Sequence, residues 1–433
     1  MSEIKYVSAA EAVAKIPSHS HVHLSSVAST PQVLIRALVE RANAGDVEDL
    51  HFHHFHTEGD APYSWPEYEG KFFEQGFFIA KNTRAGVNAG YADYTPAHLS
   101  DTPWLYRSGK IALGAALVQV SLPDEEGMVS LGTSVDCSPA AIESAKVVIG
   151  VVNKNVPYSY GNQIHISKFD YLVEDDSPLI AVGYAAPTEV DEQIGKHCAA
   201  LIEDGCCLQM GIGSLPNAVA SQLTGHKDLG LHTEMFADGA LDLIKRGVIN
   251  GRRKNIDNGK VVASFLLGTQ EVYSFVDHNK MVEMKDIEYT NDFRVIASID
   301  KMIAINSATE VDLTGQICAD SIGTRIYSGT GGQLDFVRGA TYSKGGKSIT
   351  AFASRTNKGM SKICPTLKEG AGVVTPRADA HWIVTEWGSV DLTGRSLQER
   401  AKLLISIAHP EDREMLERAA VERFGVHFLR VKV

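Results

Sequence analysis

The sequence has no apolar run approaching the roughly 18 residues that a membrane-spanning helix needs, so no such span is expected. It has no CxxC pair. Its six cysteines, Cys137, Cys198, Cys206, Cys207, Cys318 and Cys364, stand mostly among apolar neighbours and read as free, small hydrophobes of a reducing compartment. It has no excess of positive charge. Lys and Arg number 41 against 53 Asp and Glu, a formal net charge of -12, which argues against a nucleic-acid backbone as partner. A polyanionic small ligand is not excluded, because a few backbone amides and one lysine can hold a phosphate locally. Motifs of the GxSxG, HExxH and EF-hand kinds are absent. The opening MSEIKYVSAAEAVAKI lacks the apolar segment of a signal peptide and carries acids that a transit peptide avoids, so a cytoplasmic location is expected.

What is present is an alternation of helix and strand along all 433 residues. Residues 8–15 read as a helix with Ser8 as cap and Glu11 in the boxed position. HVHLSS (21–26) follows as a strand. TPQVLIRALVERANAG reads as a helix capped by Thr30, with Pro31 in its first turn. LHFHHFHTE, FFIAK (77–81), ALVQVSL (116–122) and VVIGVVN (147–153) read as strands, the last two apolar enough for a parallel sheet covered on both faces. A second cycle begins with a helix boxed by Thr188 and Asp191, whose stripe is Val190, Ile194, Cys198, Leu201 and Ile202. The acidic, then Pro- and Gly-containing segment 172–190 has no clear period and marks the boundary between domains expected at 1–187 and 188–433. The fold class is α/β in both.

Three clusters can carry chemistry. Gly211-Ile212-Gly213-Ser214-Leu215-Pro216 leads from a strand into a helix, and its glycines permit close backbone approach to an anion, with Ser214 as the expected cap. A plain strand-to-helix turn is the alternative reading. It is neither a P-loop nor a full dinucleotide fingerprint, which disfavours a dehydrogenase. Gly230 to Gly239 contains Glu234. Most glutamates are solvated, but a carboxylate in a closed pocket can act as a covalent nucleophile. His232 and Thr233 could orient it or simply satisfy the turn. Ser328-Gly329-Thr330-Gly331-Gly332 exposes successive amides that suit a carboxylate, a phosphate or an oxyanion. Asn306 closes a buried strand, and Arg355, Lys358 and Lys362 follow another. No metal site is expected. His51 and His53 share one strand face and His54 and His56 the other, so a flat strand cannot aim all four at one ion.

These residues resemble the acetyl-CoA hydrolase/transferase family, and within it the shorter 4-hydroxybutyrate, butyrate and propionate CoA-transferases. GIGSLPNAV (211–219), DLGLHTEMFADG (228–239), SGTGGQLDFVRGA (328–340) and VTEWGSVDLTGRSLQERAKLLISIAHP (384–410) carry the resemblance, which spans nearly the whole chain. It implies two similar open α/β domains with the active site at their interface, and Glu234 as nucleophile. It also implies coenzyme A contacts at Gly211, Ile212, Gly213, Ser214, Leu215, Asn306, Gly331, Gly332 and Lys358. The amides of Gly329, Gly331 and Gly332 are candidates for the oxyanion site. Acyl-CoA and short-chain carboxylates are the implied partners, coenzyme A enters as a substrate rather than a tightly bound cofactor, and a homo-oligomer is compatible. Trp387 stands where the family commonly has Tyr. A thioester hydrolase and a non-catalytic CoA-binding protein are the competing expectations.

Overall fold

The computed structural model describes residues 6–183 and 185–433. Two largely parallel sheets organise them. Across its width the first sheet carries Ala92–Tyr94, Phe72–Gly76, Leu50–His53, His21–Leu24, Leu113–Val120, Val147–Asn153 and Tyr171–Asp175. The second carries Val282–Met284, Val261–Ala263, Gly230–His232, Cys207–Met210, Met302–Asn306, Lys347–Ala351, Trp382–Thr385 and Gly388–Asp391, the last joined antiparallel as a hairpin. In each sheet the earliest strand stands inside, the next three are added to one side, and the later ones to the other. The two halves therefore share one winding, and each has a point where the chain reverses its direction of growth.

The continuously apolar strands behave as their composition predicts. Leu113–Val120 is buried at every position and Val147–Asn153 at all but its first, as strands covered on both faces require. Helix Gln32–Asn43 turns Leu34, Ile35, Ala37, Leu38 and Ala42 into the core. Its cap differs from expectation: Pro31 is the N-cap, and the Thr30 hydroxyl donates to the Val27 carbonyl at 2.8 Å. The box of Thr188 with Asp191 forms as expected, burying Ile194 and Cys198, but Val190 lies on the outside at 38% exposure.

The strand expected at 77–81 lies earlier, at Phe72–Gly76. An inward-facing Glu74 hides it in the sequence. That side chain is fully buried beside His54, and burial pushes its carboxyl up to about 8, so it is held largely as the neutral acid. The chain after Gly76 leaves the sheet and reaches the other half.

The halves are sewn together by backbone. Leu266 donates to the Thr133 carbonyl at 2.8 Å, Val182 to Gly268 at 2.9 Å, and Ile79 to Ser328 at 3.2 Å. Isolated bridges add Ser134 to Phe265 and Tyr160 to Glu283. Among the described residues no helix is long and apolar enough to cross a membrane.

Candidate active site

The second sheet reverses its growth between Cys207–Met210 and Met302–Asn306, whose registers place Met210 beside Ile305. In open α/β sheets the crevice beyond the carboxyl ends of such a strand pair is the usual ligand position. Both flanks of this crevice carry residues singled out by the sequence. Beyond Met210 lie Gly211, Ile212 and Gly213, then helix Ser214–Gln222. Gly213 has φ of 116°, which only glycine adopts freely, and it is the N-cap in place of Ser214, which is the first helical residue. The amides of Ser214 and Leu215 have no protein acceptor among the described residues and present the positive end of the helix. Asn306 ends the neighbouring strand. Its Nδ2 donates to Gln209 Oε1 at 3.2 Å, which ties the two strand ends together.

One strand further along, Gly230–His232 delivers Glu234. The strand stops at His232 and resumes as Met235–Phe236 against Phe265–Leu266. Thr233 fills the gap: its Oγ1 bridges the Met210 and Met235 carbonyls at 3.0 and 3.1 Å, and its amide donates to the Val262 carbonyl at 3.0 Å. The Glu234 carbonyl accepts from the amides of Ser264 and Phe265, both at 2.9 Å. The backbone that carries the carboxylate is thus fixed on three sides. His232 faces the Thr290 carbonyl at 2.8 Å and, buried, is pushed down to about 4, so it stays neutral. It does not reach Glu234; His232 and Thr233 satisfy the turn.

The group that orients Glu234 is Asn291. Its Nδ2 donates to Glu234 Oε2 at 2.9 Å and to Asp335 Oδ2 at 3.2 Å, and its Oδ1 is buried without a partner. Burial pushes the Glu234 carboxyl up to about 7; the Asn291 amide opposes this rise and the Asp335 charge adds to it. Part of the Glu234 surface stays open. Asn291 lies outside every long motif, and a lone asparagine after DIEYT carries no sequence signal.

Gly332 lies against this carboxylate. A β-carbon placed on it would stand 1.9 Å from Glu234 Oε2 and 2.1 Å from Asn291 Nδ2. It caps helix Gln333–Tyr342, which is anchored by Phe336, a fully buried side chain contributing about 1.5–3 kcal/mol. The amides of Gly329, Gly331 and Gly332 have no protein acceptor among the described residues. Gly331 has φ of 57°, and a β-carbon there would touch only Phe78 of the first half. Gly329 is packed on Phe77 and Phe78 instead, and Thr330 N donates to Tyr94 Oη at 2.7 Å. The glycine loop is therefore clasped by the first half, with only its last residues against Glu234.

The cationic residues separate. Arg355 pairs with Asp412, with Nη2 at 2.7 Å, and with Glu411 at 2.6 Å, so it serves the final helix rather than a phosphate. Lys358 is exposed on the following turn. Lys362 lies over the Phe352 ring, and burial pushes its amine down to about 8. His23, Asp136 and Cys137 bring ligand-type atoms within 4.8 Å of one another. His23 already meets Tyr106 and Ser138, however, and Asp136 accepts from Ser134 and Ser138, so the group satisfies the fold. A cavity of about 670 Å³ lined by Arg107, Asn162 and Asp286 lacks Glu234 and both glycine loops. Chemistry, not volume, identifies the site.

Comparison with known proteins gives the family. Family models for the acetyl-CoA hydrolase/transferase N-terminal and C-terminal domains match residues 3–182 and 268–420. The chain is 43% identical to the 4-hydroxybutyrate coenzyme A transferase of Clostridium kluyveri, covering 97% of this chain and 98% of that one. It is 44% identical to a succinyl-CoA:acetate/propanoyl-CoA:succinate CoA transferase of Fasciola hepatica, covering 94% and 86%. The solved 4-hydroxybutyrate CoA-transferase of Porphyromonas gingivalis superposes with a TM-score of 0.83 at 38% identity, covering 97% and 98%. With this fold, this winding and these relatives, the chain belongs to the acetyl-CoA hydrolase/transferase family and is an acyl-CoA:carboxylate CoA-transferase.

Proposed function

We propose that this enzyme moves coenzyme A from a short-chain acyl-CoA, of the 4-hydroxybutyryl or butyryl kind, to acetate or a similar acid through covalent intermediates on Glu234. A Glu234 oxygen attacks the thioester carbonyl, the C–S bond breaks, and an acyl-glutamyl anhydride forms with release of CoA thiolate. The thiolate attacks the Glu234 carboxyl carbon, the first acid leaves as carboxylate, and a glutamyl-CoA thioester remains. The acceptor carboxylate attacks that carbon and expels the thiolate, forming a second anhydride. The thiolate then takes the new acyl group and frees Glu234. One thioester replaces another, so no external energy source is needed.

The observation that carries this reading is a partly open carboxylate that, among the described residues, is held by a single amide donor, with Gly332, whose amide has no acceptor among them, packed against it. Such donors suit the oxyanion of each tetrahedral step. Coenzyme A would run from Glu234 past Gly211–Leu215 and Asn306, with Lys358 at the rim, as a substrate and not a resident cofactor. Its distant groups supply binding energy that positions the thioester. The chain divides into domains 1–187 and 188–433 in this reading, which the two matching sheet windings support.

Incubation with acyl-CoA alone should place CoA on Glu234, detected by peptide mass, and labelled acetate should enter the acyl-CoA pool. Glu234→Ala should abolish both. Activity surviving at the wild-type rate removes the nucleophile assignment, and free CoA accumulating without acetate incorporation makes the protein a hydrolase.

A further inference from the structure

Asp335 has no role in the chemistry above, yet it sits in the first turn of helix Gln333–Tyr342 and is buried in the same group as the nucleophile. The two hydrogens of Asn291 Nδ2 are shared between the carboxylates of Glu234 and Asp335, which places the accepting oxygens at most about 6 Å apart. The second Asp335 oxygen accepts from Ser100 Oγ at 2.9 Å, and the Ser100 amide adds a bond of 3.3 Å to Oδ2. Ser100 belongs to the first half. Its neighbours hold the glycine loop: Leu99 N donates to the Gly331 carbonyl at 3.2 Å, and Tyr94 Oη meets Thr330 Oγ1 at 2.9 Å. The line from Ser100 through Asp335 and Asn291 to Glu234 is continuous and crosses between halves.

We infer that Asp335 is a positioning residue. Through Asn291 it fixes the Glu234 carboxylate, and through Ser100 it does so only while segment 94–100 of the first half is seated on the glycine loop. This rests on Glu234 being the nucleophile. An unoriented Asn291 could turn its unpartnered Oδ1 toward Glu234 and withdraw the one donor the carboxylate has among the described residues. Asp335 prevents this, because a carboxylate accepts only from the amide nitrogen. The titratable group facing the pair is His98 from the first half, while His232, on the adjacent strand, is turned to the Thr290 carbonyl and neutral. Asp292, on the segment that carries Asn291, is turned to Arg294. No cation pairs directly with either carboxylate among the described residues, and the Asp335 charge pushes the Glu234 carboxyl up.

The test measures exchange from pH 5 to 9 in wild type, Asp335→Asn and Ser100→Ala, with adduct formation on Glu234 followed by mass. Asp335→Asn should lower kcat about tenfold at pH 8. It should leave KM for acyl-CoA within about twofold and move the acid limb of kcat down by at least about half a unit, the water-screened effect of one charge at this spacing. Ser100→Ala should lower kcat in the same direction without moving the limb. An unmoved acid limb in Asp335→Asn, or a raised KM at unchanged kcat, overturns the inference while a wild-type adduct keeps the nucleophile in place. No adduct in the wild type overturns the nucleophile itself. Should Asp335→Asn fail to fold, an unchanged kcat in Ser100→Ala overturns the inference and a lowered one supports it.

Discussion

Replacing Gly332 by alanine is the sharpest perturbation the site offers. The backbone accepts it, since φ of -92° and ψ of 9° are open to any L-residue. The space does not. The added methyl would lie 1.9 Å from Glu234 Oε2, and real β-carbons essentially never approach within 3.0 Å, so something must move by about 1 Å. The loop cannot yield, being held by Tyr94, Leu99 and Phe78 on one side and by the anchored helix on the other. The carboxylate and its Asn291 donor must yield instead. A displacement of ~1 Å at a reacting atom costs about 10²-fold. That is ~2.7 kcal/mol of lost transition-state stabilisation at 1.36 kcal/mol per factor of ten. Gly332→Ala should therefore fold normally, bind acyl-CoA with near-normal KM and exchange label about a hundredfold more slowly. Gly331→Ala is the control. Its methyl would meet only Phe78, at an ordinary 3.5 Å, but φ of 57° is left-handed. It should lose about 1–2 kcal/mol of stability and less than about tenfold in kcat. A Gly332→Ala enzyme with wild-type kcat, or a Gly331→Ala enzyme that is the slower of the two, refutes the steric argument.

Three further expectations concern charge. The Glu234 carboxyl is raised from an ordinary 4.5 to about 7, so between those values the folded state binds more protons than the unfolded one and stability falls as pH rises. Glu234→Gln should be the more stable protein at pH 8, by on the order of 1–3 kcal/mol after allowing for the open part of the side chain, and should lose that advantage near pH 4. Urea denaturation at both values measures it, and a Gln variant weaker than wild type at pH 8 contradicts the burial argument. Arg355→Gln should lower Tm while leaving KM for acyl-CoA unchanged. Lys358→Gln should raise that KM a few-fold and flatten its salt dependence. The reverse pattern would exchange their roles.

Where the sequence was readable, it was readable because one physical constraint dominated locally. Runs such as VVIGVVN are covered on both faces and show it as unbroken apolarity. The Ser8 and Glu11 box and the Thr188 and Asp191 box are local reciprocal bonds, written within four residues. Gly213 and Gly331 stand where φ is positive. What the sequence concealed depends on tertiary placement. Glu74 breaks the pattern of a strand because its charge is suppressed by burial, a fact invisible before the strand has neighbours. Thr30 resembles a helix cap but bonds backward to Val27. Asn291, Asp335 and Ser100 come together from three distant segments. Each has an ordinary identity, and only their meeting point gives them meaning. Arg355, one of three cations that follow a buried strand, is claimed by the last helix, Pro410–Phe424, which only the fold brings to it.

The shared winding of the two sheets has an evolutionary consequence. Each half possesses its own reversal crevice, but beyond the first-half strand His21–Leu24 the buried polar groups bond to one another: Ser29 Oγ meets Thr133 Oγ1 at 2.6 Å, and Ser26 donates its amide to Ser134 Oγ at 2.8 Å. A chain wound this way twice can dedicate one copy to thioester chemistry and leave the other as a wall. Phe78, Tyr94 and Leu99 belong to that wall. Because those same residues clasp the glycine loop beside Glu234, the two copies cannot drift independently, and a change in the wall is transmitted to the carboxylate.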